Sequence, residues 1–407
     1  MRPEHIGTLR TGASPQPSAD ADVPVLWLIV GAGIVSAFQV GEISIALPSL
    51  RDSIGISLPD GGWLLSVFAL VGALTGMPVG VSVDTVGARR MALAGLAVQG
   101  TSSLLSATVD SFAWLLALRV LEGLGFMSVV VAMPALVLAS TPEHKRKRAF
   151  AILGTYMPLG VAMAMLCAPL MKFLGWQGLT LLSGTGLFAY AALLLAGTRH
   201  LAVPAAAQAS GFAAMRGTAM ARAPQLLAML FAAFTAAYFS VFGFLPTLLA
   251  SRMSLDGATA GMTAALVVAV NAAGNLACGV LLSKGISHLA LMRFSFIGMA
   301  ACTAAALATD VSGLTALVFC ALLSFISGPI PVILMELAPR SASSADQTGA
   351  AVGLVMQGNN IGLLVGPAAA GMIANAHGWQ WVSAWVACLV LCALGLIAWL
   401  GRMRSFS

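Results

Sequence analysis

Three ionisable residues stand inside long apolar runs: Glu42, Arg119 and Glu122. Charge in such a setting is costly and usually functional. Arg119 and Glu122 are three residues apart, so they share one face of a helix. A carboxylate beside a guanidinium supports three roles. It can exchange a proton, because burial favours the neutral acid and a neighbouring cation favours the anion. The guanidinium can instead receive an anionic substrate. Or the set is a fixed ion pair that only holds helices together. No nucleophile–base pair stands out, so no catalytic residue is assigned and an enzyme is not expected. The six cysteines (Cys167, Cys278, Cys302, Cys320, Cys388, Cys392) all lie in apolar runs and read as small core residues. No Cys/His spacing marks a metal site, and no metal or cofactor is expected. A phosphate loop of the form G-x-x-x-x-G-K-[ST] is absent, so ATP is not the expected energy source.

The elements that must position these groups follow from composition. Of 407 residues, 59% are hydrophobic and 8% charged, against about 25% charged in a soluble domain. Runs of about 20 apolar residues cross the hydrocarbon layer. Twelve such spans are predicted: 24–48, 62–83, 90–109, 112–139, 149–171, 178–197, 224–249, 258–283, 289–308, 312–335, 347–373 and 380–401. They predict an all-α membrane protein of two six-helix bundles, 24–197 and 224–407. A polar linker, 198–223, joins them, and a disordered cytoplasmic tail, 1–23, precedes them. Glu42 lies six residues before the end of its span and Arg119 seven after the start of its own. At the helical rise both sit about 9–10 Å deep.

The net charge of +6 points to the bilayer rather than to nucleic acid. With the N-terminus inside, sixteen of the 20 Lys and Arg fall on cytoplasmic segments, including Arg89, Arg90, Lys145 to Arg148, Lys284 and Arg340. Only Arg51, Lys172 and Arg252 fall outside. This bias predicts two cytoplasmic termini, in a bacterial inner membrane.

The halves also repeat. Leu47-Pro48 and Leu245-Pro246 end the first and seventh spans, 198 residues apart. Gly80 and Gly279 lie 199 apart, and Gly175-Trp176-Gln177 and Gly378-Trp379-Gln380 lie 203 apart. Parallel six-helix repeats are a transporter design.

Between spans 2 and 3 runs Gly80-Val81-Ser82-Val83-Asp84-Thr85-Val86-Gly87-Ala88-Arg89-Arg90. It resembles the major facilitator superfamily loop G-x-x-x-D-[RK]-x-G-R-[RK], with Thr85 and Ala88 departing from the pattern. Gly80 permits close helix approach, Gly87 a tight turn, and Asp84 can pair with a cation or cap a helix. Arg119-Val120-Leu121-Glu122-Gly123-Leu124-Gly125 in span 4 resembles the family's R-x-x-x-G-x-G motif. Pro158 and Gly160, with the Arg119 segment, resemble the cyanate and nitroimidazole transporter-like branch. The resemblance implies that helices 1 and 4 line a central cavity, bringing Glu42 near Arg119. It also implies that helices 2 and 5 face helices 11 and 8. Small residues four apart mark these surfaces: Gly72, Gly76 and Gly80 in span 2, and Gly358, Gly362 and Gly366 in span 11. Gly76 and Gly362 are therefore expected between the halves. The second half offers neutral polar groups for a cavity, chiefly Tyr238, Asn271, Asn275, Gln357 and Asn360.

The expected function is secondary transport of a small solute by alternating access, coupled to protons, acting as a monomer. Export of an organic compound ranks above uptake of a small organic or inorganic anion. The alternative of another class is a receptor or assembly factor on the same fold.

Overall fold

The computed structural model describes residues 22–55, 58–199, 201, 211–255, 257–308 and 311–403. The expected tail lies outside these up to position 21, as do residues 202–210 of the linker. Among the described residues there is no strand.

Twelve membrane-length segments appear. Four of the first six spans are α1 (Asp22–Ile54), α2 (Leu58–Val86), α3 (Ala88–Ser106) and α4 (Phe112–Ser140). The fifth is broken into α5 (Arg146–Leu153) and α6 (Tyr156–Leu166), and the sixth is α7 (Met171–Gly197). A short helix, α8 (Gly211–Met220), lies in the linker. The seventh span is α9 (Arg222–Phe242) and α10 (Leu245–Met253). Then come α11 (Gly257–Ser283) and α12 (His288–Leu307). The tenth span is α13 (Gly313–Ser327) with α14 (Pro329–Arg340), followed by α15 (Thr348–His377) and α16 (Gln380–Leu400). Among the described residues, ten segments are long and apolar enough to cross a membrane by length and composition. The other two, α3 and α15, carry Gly, Ser, Asn and Gln where the rest carry apolar residues. Both are wedged between neighbours: α3 against α4 and α7, and α15 between α2 and α9.

The breaks have a covalent cause. Proline lacks the N–H that would bond four residues back. Pro158 therefore leaves the Gly154 carbonyl without a helical donor, and Asn275 Nδ2 donates to it at 2.7 Å instead. That bond crosses from the fifth span to the eighth. The repeated Gly-Trp-Gln turns also share one geometry. Gly175 (φ 63) and Gly378 (φ 91) both adopt the positive φ that favours glycine.

Helix α15 reaches its neighbours through glycine on two faces. A Cβ on Gly80 would lie 2.0 Å from the Gly349 carbonyl, and one on Gly353 would lie 2.1 Å from the Gly76 carbonyl. Backbones of α2 and α15 thus touch directly, as small residues allow. Gly358, Gly362 and Gly366 do not lie on that face. Built Cβ atoms there would meet the carbonyls of Ala228, Ala232 and Ala236 in α9, at 2.0, 2.4 and 2.4 Å. The expectation for Gly358, Gly362 and Gly366 is therefore corrected: they pack within the second half, while Gly349 and Gly353 face α2. The reason is phase. Nine residues separate Gly349 from Gly358, about two and a half turns, so they point to opposite sides.

Candidate functional site

The charged set is built on α1 and α4. Glu42, Arg119 and Glu122 are all buried, at 1%, 3% and 3% exposure. Arg119 Nη1 donates to Glu122 Oε2 at 2.6 Å and to the Gln39 carbonyl at 3.3 Å, and Nε donates to the Leu64 carbonyl at 3.3 Å. Its Cζ lies 4.7 Å from the centroid of the Phe68 ring. Nε and Nη1 are thus held by a carboxylate and two carbonyls, and the guanidinium lies over a ring face. Glu42 is bonded elsewhere. Its Oε2 accepts from Ser183 Oγ at 2.9 Å, while Oε1 has no hydrogen-bond partner among the described residues. Ser183 in turn lies 3.0 Å from Ser103 Oγ and accepts from Gln39 Nε2 at 3.3 Å. Glu42, Arg119 and Glu122 all line one small pocket of about 20 Å³ inside the first six helices. That is room for about one water.

A second, larger cavity lies elsewhere. It has a volume of about 110 Å³ and is walled by the break and helix of the fifth span, by α9, α11 and α14, and by α15. Gly154 at the first break, Phe242 at the end of α9 and Pro331 at the start of α14 all line it. Broken helices at such a place keep irregular backbone inside the protein and away from lipid. Of the second-half polar candidates, Tyr238 and Asn271 line this cavity. The others do not. Asn275 bonds Gly154, Gln357 Nε2 donates to the Ala73 carbonyl at 2.7 Å, and Asn360 Nδ2 donates to the Met356 carbonyl at 2.8 Å. Thr235 and Asn359 line it as well. An aromatic stripe, Phe231, Phe234, Tyr238 and Phe242, was legible as i, i+3, i+7, i+11 spacing but reads equally as ordinary packing.

The loop motif joins the two halves of the chain. Asp84 Oδ1 and Oδ2 each lie 2.9 Å from the Gly349 N–H, at the start of α15. Gly87 takes φ 98 at the turn between α2 and α3. Arg89 turns inward to its own half: Nη2 donates to the Leu195 carbonyl at 2.9 Å and Nε to Thr198 Oγ1 at 3.1 Å, closing the end of α7. Arg90 is exposed. Gly72 faces Asn360, whose amide lies 2.5 Å from a built Cβ.

The second half carries a buried charge that the spans missed. Glu336, at 1% exposure, lies 3.2 Å from His288 Nε2 and 3.1 Å from Arg340 Nη2. Its signal was the i, i+4 spacing of Glu336 and Arg340, one residue beyond the predicted tenth span.

The fold agrees with the comparisons. A model of the Major Facilitator Superfamily matches residues 29–346. The chain belongs to that family, which is one of membrane transporters and not of enzymes. The methyl viologen resistance protein SmvA of Salmonella typhimurium is 30% identical over 135 residues, covering 33% of this chain and 27% of that protein. Human monocarboxylate transporter 11 is 29% identical over 302 residues, 68% of this chain and 60% of that one. The crystal structure of the Escherichia coli fucose:proton symporter FucP superposes with a TM-score of 0.73 at 14% identity, over 94% of this chain and 100% of that one. The matches span between 23% and 60% of the curated relatives' own length.

Proposed function

We propose that the protein is a secondary active transporter that moves a small solute by alternating access and couples this to protons through Glu42. The bundles 24–197 and 224–407 would rock about the α2–α15 and α6–α11 contacts, with the 110 Å³ cavity as the solute path. One observation carries the coupling role: among the described residues, two carboxylates and a single guanidinium share a buried pocket. Such a set is electroneutral only when one carboxylate holds a proton, and a buried uncompensated charge is strongly disfavoured. Arg119 is bonded to Glu122, which leaves Glu42 as the carboxylate that exchanges it. Arg119 reads as supporting rather than receiving, since its Nε and Nη1 donate to protein groups. That weakens the reading of an anion bound at Arg119.

Export of an organic compound is the favoured direction. It is supported by the apolar lining of the cavity and by the likeness to a methyl viologen resistance protein. The positive-charge bias supports two cytoplasmic termini in a bacterial inner membrane. The test is a survey in proteoliposomes with an imposed pH gradient. At least one small organic solute is expected to move against its own gradient, and to stop when the pH gradient is collapsed. Movement of no solute would overturn the reading in favour of a receptor-like role, and movement indifferent to the gradient would overturn the proton coupling.

A further inference from the structure

We infer that the central cavity takes a flat, uncharged aromatic compound bearing one amide-like group, an inference that rests on the reading of this cavity as the solute path. The wall formed by α9 is a ladder of rings. Phe231, Phe234, Tyr238 and Phe242 all line the cavity. Successive centroids are 6.0, 5.8 and 4.0 Å apart, and Tyr238 and Phe242 lie within 8° of parallel. Spacings of three and four residues put all four on one helix face. Ring faces accept another flat ring in offset or edge-on geometry, with little demand on its substituents.

Two amides add direction. Thr235 Oγ1 donates to Asn359 Oδ1 at 2.8 Å, so the Asn359 amide nitrogen is left to donate, with no protein acceptor among the described residues. Asn271 Nδ2 donates to the Ser324 carbonyl at 2.8 Å and to Ser327 Oγ at 3.0 Å. Its Oδ1 accepts from no described protein group. One donor and one acceptor, each held by a second residue, match a carboxamide.

Charge decides against the other classes. Among the described residues no Asp, Glu, Lys, Arg or His lines this cavity. An anion entering it would lose hydration and meet no cation. An organic cation would gain from the ring faces but would meet no carboxylate. The volume of about 110 Å³ is on the scale of a cavity that holds one aromatic ring.

Three probes of one shape separate these outcomes: benzamide, benzoate and benzamidinium. Their binding is measured by ligand-observed NMR titration of the purified full chain in lipid nanodiscs, with empty nanodiscs subtracted. Benzamide is expected to bind roughly tenfold tighter than either ion. Asn359→Leu and Asn359→Ala are each expected to weaken benzamide by roughly three- to tenfold, the worth of one hydrogen bond. No benzamide binding, an ion that binds as tightly, or a benzamide affinity unmoved in the folded Asn359 variants would overturn the inference. The measurement involves no transport, so its failure is distinct from failure of the pH-gradient survey.

Discussion

Asp84 in α2 holds the first turn of α15 through Gly349, with both carboxylate oxygens 2.9 Å from one backbone N–H. A carboxylate there meets the positive end of a helix dipole and an N–H with no helical partner. The contact joins two helices that are 265 residues apart in the chain. We propose that it works as a closure between the halves. Loss of such a cap is worth about 1–2 kcal/mol. Asp84→Ala should shift the balance of the two cavity orientations by roughly five- to thirtyfold. Spin labels at Thr85, next to Asp84 in the chain, and at Ser343, shortly before α15, both exposed, should show a longer-distance population in Asp84→Ala. An unchanged distance distribution would remove Asp84 from the closure.

The two glycine surfaces of α15 predict two different defects. At Gly76 an added Cβ would lie 2.5 Å from the Gly353 carbonyl, across the halves. Gly76→Leu should insert normally, hold the α2–α15 face apart and slow transport. At Gly362 the clash is with the Ala232 carbonyl at 2.4 Å, within one half. Gly362→Leu should lower yield and melting temperature instead. Equal effects in thermal melts and in labelling of the cavity would contradict this division.

Much of this was readable from the chain and some was not. Composition and the length of the apolar runs define twelve spans, because a bilayer admits few alternatives. The Gly80–Arg90 loop and the Arg119 segment were legible because each is a dense local motif. What failed depended on phase and on depth. Gly358, Gly362 and Gly366 look identical to a cross-half ladder in sequence, and only the rotation of α15 assigns them to α9. Asn275, Gln357 and Asn360 were candidates for the cavity, yet each donates its amide nitrogen to a backbone carbonyl elsewhere. A buried amide is needed both as glue and as ligand, and its identity does not say which. Asn359, next to Asn360 in sequence, does line the cavity.

Arg119 should prove a matter of stability. Its removal leaves Glu122 buried without a partner, which costs about 3–5 kcal/mol. Arg119→Leu is expected to melt well below wild type. Arg119→Leu combined with Glu122→Gln removes charge from both sides and should recover most of that loss. Failure of the second change to rescue would mean that the contacts to Gln39, Leu64 and Phe68 carry the cost.

Topology is open to a direct check. A cysteine at Asp110, exposed between α3 and α4, should react with an impermeant maleimide added to intact cells. A cysteine at Ser343, exposed before α15, should react only in inverted vesicles. The opposite pattern would invert the orientation set by the positive charges.

The central claim is that Glu42 carries the exchanged proton. It is tested most directly by recording proton flux with a pH-sensitive dye inside proteoliposomes, on addition of a transported solute. Wild type should move protons with the solute. Glu42→Gln preserves shape and the bond from Ser183 but cannot exchange a proton, so it should bind the solute and produce no solute-driven proton flux. Wild-type proton flux in Glu42→Gln would contradict the account.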